Sequence, residues 1–524
     1  MTHDYLIIGA GPGGLQLASL LERDGADYVV LERGSGPGTF FTRFPRHRFL
    51  ISNNKVHTGY DDPELRLRMD WNSLLSDDPE LVFTRYSPRY FPPADDLVRY
   101  LTDFAAGTGV RVRYDTSVVG VSRDEEGFTV TGHTGEVWRA RHLVVATGMP
   151  VANLPAIPGV ELAERYDTID TDPRSFTDQR VLIIGRGNSA FETAENLMET
   201  AAVIHLVGSG SLKMAWRTHY VGHLRAVYNN FLDSYQLKSQ NALLDGRVLA
   251  IRREPDGFRV PVAFERVDEV VREIRYDRVI VATGFRFDTS VFDDTCVPDL
   301  VVDGRFPALT PLGESVNVPG LYFAGTLMQG RSFGKSTTGF IHGFRYAVRA
   351  LHRGLRQRHA GVPWPSADLG DSTARAVDAV IRRINRSSAL WQQFAVLGDL
   401  LLLGPDGTFR YAEEVPVDHV PGAVRDGDFG EVAAYAVITL EYGEDHDRVD
   451  PFDVTAGRKS QQDASGLDGR YLHPVVRWYR DGEFVADHHL AENLENEWDS
   501  EEVHRAPLHA FLTARCSPAA RVAP

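Results

Sequence analysis

The strongest constraint on this chain is a glycine-rich turn that occurs twice, each time after an apolar strand and before a helix. The first is Gly9-Ala10-Gly11-Pro12-Gly13-Gly14 behind Tyr5-Leu6-Ile7-Ile8, and the second is Gly185-Arg186-Gly187-Asn188-Ser189-Ala190 behind Val181-Leu182-Ile183-Ile184. In such a turn the first glycine permits the reversal, and the second lets backbone amides approach a pyrophosphate. The third position must be small so that helix packs on strand. The helix N-terminus then presents unpaired N–H groups to the phosphates.

From Asp4 to Glu32 the order strand, turn, helix, strand forms a βαβ unit, and Glu32 ends it where a carboxylate reaches ribose hydroxyls. Gly9, Gly11, Gly13, Gly14 and Glu32, with the adjacent Arg33, are therefore expected to hold one adenine dinucleotide. In the second unit alanine takes the third small position, and no acid ends the following strand, which runs into Gly208-Ser209-Gly210-Ser211-Leu212-Lys213. A carboxylate would repel a ribose 2′-phosphate, whereas hydroxyls and a cation accept one, so NADPH is expected over NADH. Gly185, Gly187, Asn188, Ser189, Ser209, Lys213 and Arg217 are its expected contacts; solvated surface charge is the plain alternative for Lys213 and Arg217. Two dinucleotides on one chain imply hydride transfer from nicotinamide to flavin, FAD being the first cofactor.

The 524 residues suffice for two or three domains. The expected fold is α/β: two Rossmann-like three-layer domains, the NADPH domain (156–270) inserted in the FAD domain (1–155 and 271–360), then a smaller α+β module (361–524). That module is expected to cover the cleft or an oligomer surface. Strands around Leu143-Val144-Val145-Ala146, Val279-Ile280-Val281-Ala282 and Leu321-Tyr322-Phe323-Ala324 are assigned to the FAD domain, which a helix from Thr337 to about Arg353 closes. A net charge of -16 repels phosphate backbones and argues against nucleic acid as a partner. With no run of about 18 apolar residues and a first strand that begins at Tyr5, neither a membrane span nor a leader peptide is expected, and the expected address is cytoplasmic. Cys296 and Cys516 form no C-x-x-C pair, which removes the dithiol a disulfide reductase needs. His488-His489 with Asp487 and Glu492 has no recognisable ligand spacing, and no metal is expected.

Val145-Ala-Thr-Gly148, the Gly185-x-Gly-Asn-Ser motif and Asp277-Arg-Val-Ile-Val-Ala-Thr-Gly-Phe285 resemble the FAD- and NADPH-binding signatures of class B flavin monooxygenases. The last is similar to an element of the N-hydroxylating members, without its following His-Pro. Phe41-Thr-Arg-Phe-Pro-Arg-His47, Asp70-Trp-Asn-Ser-Leu-Leu75, Thr218-His-Tyr-Val-Gly222, Gly339-Phe-Ile-His-Gly-Phe-Arg345 and Leu472-His-Pro474 extend the likeness over nearly the whole chain. They resemble the vertebrate FAD-dependent oxidoreductase-domain flavoproteins linked to endoplasmic-reticulum-associated degradation. The chain ends Arg521-Val-Ala-Pro524 without a retention tetrapeptide, so the organelle role is not carried over. The F-x-G-x-x-x-H-x-x-x-W fingerprint of Baeyer-Villiger enzymes is absent between Gly148 and Val181.

The resemblance implies hydroxylation of a small amino acid's amine nitrogen through a flavin C4a-hydroperoxide, with aspartate N-monooxygenases that form nitrosuccinate as the reference. Ile51-Ser-Asn-Asn-Lys55 resembles the class B loop that brings an asparagine and a lysine beside the flavin, which nominates Asn54 and Lys55 as catalytic; a capped turn is the alternative. Arg43, Asn53, Val119, Thr147, Gly148, Thr283, Gly284, Gly325 and Lys335 are further expected cofactor contacts, and Arg286 and Arg331 a carboxylate clamp. The expected partners are thus a small amine or amino acid and dioxygen. A non-oxygenating NADPH-dependent reductase or oxidase, or an FAD-containing interaction protein, is the alternative function.

Overall fold

A computed structural model describes residues 2–238, 240–265, 270–448, 450, 452, 458–464 and 470–516. The terminal Arg521–Pro524 lies outside them. The first sheet is built on strand Thr2–Ile8, whose apolar run is covered by helices on one face and by an antiparallel layer on the other. It pairs in parallel with Tyr28–Leu31 on one side and with Val137–Val145 on the other. The register sets Ile8 opposite both Leu31 and Val145, so three strands end level and Gly9, Glu32 and Ala146 emerge at one edge. Leu321–Phe323 completes this edge by pairing with Leu143–Val145.

The second sheet repeats the design: Arg180–Ile184 pairs in parallel with Val203–Gly208, followed outward by Ala242–Val248 and an antiparallel flap. Its inner neighbour is Arg278–Val281, which pairs with Val181–Ile184. The expectation that this strand returns to the first domain is corrected here: its apolar run fills the open side of Arg180–Ile184, and the crossing comes after it. Phe285–Arg286 pairs antiparallel with Val151–Ala152, so the two crossing segments run side by side as one hinge.

The helix expected from Thr337 runs instead over Ile341–Ala360. Gly339, just ahead of it, lies against the Gln329 side chain, where a Cβ would approach within 2.3 Å. Gly361, at φ 64°, ends it as a left-handed cap.

The C-terminal module is α+β, a six-stranded antiparallel sheet backed by helices Thr373–Arg386 and Ala506–Cys516 around the buried Trp478 and Trp498. It docks on helix Ile341–Ala360 through charge: Glu414, 2% exposed, accepts from both Arg349 and Arg353; within the module Arg383 pairs with buried Asp399 at 2.8 Å. The module also reaches the second domain, where the Tyr442 ring lies 4.3 Å from that of His219. Among the described residues no helix is long and apolar enough to cross a membrane.

Candidate active site

The level strand ends of both sheets open into one cavity of about 1360 Å³. Gly9, Gly11 and Gly13 line it from the first turn, and Gly185, Gly187, Asn188 and Ser189 from the second. Within each turn the glycines do different work. A Cβ on Gly9, at φ 105°, would come within 2.8 Å of the Ala146 carbonyl, and one on Gly185, at φ 130°, within 2.3 Å of the Ala282 carbonyl. Gly11 and Gly187 would meet nothing within 4 Å. They N-cap helices Pro12–Arg23 and Asn188–Leu197 without any side-chain bond, which leaves first-turn N–H groups free toward the cavity. Both turns therefore fit a diphosphate.

Glu32 lines the same cavity, 5% exposed, with its carboxylate fixed by the Ala10 N–H at 2.7 Å and by the Gly34 N–H and Thr39 hydroxyl at 2.9 Å. Arg33, Thr147, Gly148, Lys213, Thr283, Gly284, Gly325 and Lys335 line it too. Gly13 and Gly325 pack backbone to backbone, a Cβ on Gly13 coming within 2.6 Å of the Gly325 Cα, which ties the last strand of the first sheet to the first turn.

The remaining expected residues lie elsewhere. Gly14 is walled by the Gly9 carbonyl, 2.0 Å from a Cβ, and serves packing. Val119 and Arg286 are exposed, while their neighbours Val118 and Phe285 line the cavity; alternation along a strand turns adjacent side chains to opposite faces. Arg43, Ser209 and Arg217 are exposed outside the cavity lining. Asn53 accepts a bond from Arg225 at 3.1 Å behind the wall.

The catalytic assignment of Asn54 and Lys55 is corrected. The Asn54 side chain is buried and donates to the Ser87 and Arg89 carbonyls at 2.7 and 3.1 Å, pinning one loop to another; Lys55 is exposed, and neither lines the cavity. Arg331 does not form a clamp either: it is committed to the Leu309 carbonyl at 2.8 Å and to Asp418.

Several lining residues were given no role from the sequence, although Arg186, Trp71, Tyr220 and His342 stand inside the quoted motifs. Arg186, inside the second glycine turn, folds under the end of strand Val203–Gly208, bonding the Gly210 carbonyl and pairing with Asp245. A Cβ on Gly208 would lie 3.0 Å from its Nε, so its guanidinium occupies the strand end where an NADH-binding acid would stand. Glu192, one turn into the helix Asn188–Leu197, accepts from the Tyr166 hydroxyl at 2.8 Å and the His47 N–H at 3.2 Å. Burial pushes its carboxyl up to about 7. Where the two domains meet, His342 stacks on Trp71 at 4.2 Å, and the Arg225 guanidinium lies over the Trp71 ring, 5.3 Å from its centroid. Burial holds the His342 imidazole well below its usual pKa, hence neutral. The Gln329 amide donates to the Tyr220 hydroxyl and joins the loop after the first sheet to the second domain.

Residues 6–325 match the pyridine nucleotide-disulphide oxidoreductase family. The chain belongs to that family. It is 39% identical to mouse FAD-dependent oxidoreductase domain-containing protein 2, over 97% of this chain and 83% of the relative, and 36% identical to the zebrafish (Danio rerio) protein of that name, over 98% and 83%. Among solved structures, bacillithiol disulfide reductase from Staphylococcus aureus superposes with a TM-score of 0.52 at 19% identity, covering 68% of this chain and 100% of its own. A flavin-containing monooxygenase from Stenotrophomonas maltophilia gives 0.51 at 21%, covering 67% and 98%; both share the fold of the nucleotide-binding region. This member of the family is a flavin-dependent oxidoreductase whose cofactors are FAD and NADPH.

Proposed function

We propose that this flavoprotein is an NADPH-dependent monooxygenase that hydroxylates the amine nitrogen of a small amino acid, with aspartate, carried toward nitrosuccinate, as the reference substrate. The observation that carries the reading is one cavity reached by both glycine turns and by neither cysteine. Cys296 is buried with its thiol against the Val121 carbonyl, and Cys516 ends the C-terminal helix. Electrons delivered in the cavity have no protein dithiol to enter, so the acceptor is a molecule small enough to diffuse in.

Bound FAD supplies the redox chemistry, by which amine, dioxygen, NADPH and a proton become hydroxylamine, water and NADP+. The protein supplies shelter and proton control. Phe44, Phe285, Phe333 and Phe340 give the cavity an apolar wall, and a polar contact beside such a wall is stronger than in open water. Glu192, with a carboxyl that titrates near neutrality, can hold or release a proton at the mouth of the second turn. The substrate nitrogen must be uncharged to attack, so turnover rises toward alkaline pH.

The test is product analysis after NADPH-reduced holoenzyme meets dioxygen with aspartate, ornithine or lysine. Hydroxylamine formed in step with NADPH consumption is expected. Hydrogen peroxide as the sole product with every amine refutes N-hydroxylation and leaves an NADPH oxidase.

A further inference from the structure

Arg225 brings a positive charge to the cavity wall without an acid to balance it. It is partly buried, lines the cavity, and forms no salt bridge with any described carboxylate. Its Nη1 donates to the Ile51 carbonyl at 2.6 Å and its Nη2 to the Asn53 amide oxygen at 3.1 Å, which fixes the guanidinium while leaving other N–H donors of the fork uncommitted. Desolvation lowers its pKa, the signature of a cation short of a counter-charge. The acids that line the cavity are otherwise engaged: Glu192 with Tyr166 and the His47 N–H, Glu32 with Ala10, Gly34 and Thr39, and Asp288 with the Ser290 N–H.

The second observation is independent. His342 is 1% exposed, lines the same cavity, and neither of its ring nitrogens has a partner. A buried polar group without a partner costs on the order of 1–3 kcal/mol, a cost that a bound ligand offsets by bonding it. Trp71 holds the two together, with the His342 ring stacked 4.2 Å from its own and the Arg225 guanidinium 5.3 Å from its centroid. Cation and neutral imidazole thus both contact one indole on the cavity wall.

We propose that Trp71, Arg225 and His342 form the subsite for the substrate's carboxylate, so that the enzyme selects amines carrying an acid group over simple alkylamines. The inference rests on the amino-acid hydroxylase reading and moves the carboxylate contact from Arg286 and Arg331, which lie outside the cavity, to Arg225. The guanidinium offers two N–H bonds to the carboxylate, the imidazole N–H offers a third, and the indole covers the short carbon chain.

Calorimetric titration of the FAD- and NADP+-loaded protein with succinate and with n-butylamine tests it. Succinate, an acid without an amine, binds; butylamine, an amine without an acid, binds at least ~10-fold more weakly. Arg225→Met weakens succinate by roughly 10- to 100-fold, and His342→Phe, which keeps the stack and removes the N–H, by a smaller factor. Equal affinity for the two probes in the parent protein, or unchanged succinate affinity in either variant, overturns the subsite. Far-UV circular dichroism of the purified variants reports folding, and if Arg225→Met does not fold, the parent and His342→Phe decide. Loss of FAD or NADP+ affinity in Arg225→Met with succinate unaffected also overturns it, because the arginine then serves a cofactor. If succinate binding depends on Arg225 while aspartate yields only peroxide, the subsite stands and N-hydroxylation falls. If Arg225→Met hydroxylates aspartate with the parent KM, the subsite falls and N-hydroxylation stands.

Discussion

The two glycines of the second turn separate folding from binding. In Gly185→Ala the new methyl forces φ 130° on an L residue and would sit 2.3 Å from the Ala282 carbonyl, which belongs to the neighbouring strand and cannot rotate away. A left-handed conformation costs roughly 1–2 kcal/mol, and overpacking against backbone adds roughly 1–3 kcal/mol. A loss of about 2–5 kcal/mol follows, or a fall of roughly 2–5 °C in melting temperature for a chain of 524 residues that unfolds as one unit. In Gly187→Ala the backbone is already extended, at φ -91° and ψ -175°, and nothing lies within 4 Å of the methyl. The folding cost is then only the weaker N-cap, within ~1 kcal/mol. The methyl points instead at the space a pyrophosphate must approach, and NADPH affinity should fall roughly 10- to 100-fold with FAD retained. Thermal unfolding, flavin absorbance and NADPH titration on both variants supply the readings. Unchanged NADPH affinity in Gly187→Ala, or loss of FAD with NADPH binding intact, would refute the assignment of the second turn to NADPH.

Glu192 should make stability depend on pH. Its folded-state carboxyl titrates near 7 against an ordinary 4.5, so between those values the folded chain holds a proton that the unfolded chain has released. Stability is then full below about pH 4.5 and declines as pH rises through 7, by on the order of 3 kcal/mol. Glu192→Gln should flatten that part of the melting-temperature profile, and a parallel profile would contradict it. Glu414→Gln leaves Arg349 and Arg353 facing a neutral partner in a buried site, and should cost about 3–5 kcal/mol in urea unfolding; a loss below 1 kcal/mol would show the network to be well hydrated. Asn54→Ala frees two loop carbonyls and should lower stability by about 2–3 kcal/mol while NADPH oxidation continues at the parental rate. A collapse of turnover without loss of stability would return Asn54 to the catalytic machinery.

What the sequence made legible were features repeated along the chain. Apolar strand, glycine turn and helix can be read at Ile8–Pro12 and Ile184–Asn188 because each element has its own local period and its own punctuation. The position of Arg278–Val281 was not legible, because an apolar run fits either parallel sheet equally well and only pairing with Val181–Ile184 decides. Val119 and Arg286 missed the cavity by one residue, since composition does not tell which strand face turns inward. The loop Ile51–Lys55 was misread at Asn54, whose amide satisfies carbonyls more than thirty positions away. Trp71, Arg225 and His342 come from three distant segments, and only the folded chain places them on one wall.

The central claim is that one cavity lets the redox rings of FAD and NADPH meet. Mixing the flavin-loaded protein with NADPH under strict exclusion of oxygen tests it directly. Bleaching of the oxidised flavin absorbance is expected, with one NADPH consumed per FAD. A flavin that stays yellow while NADPH is bound would contradict it.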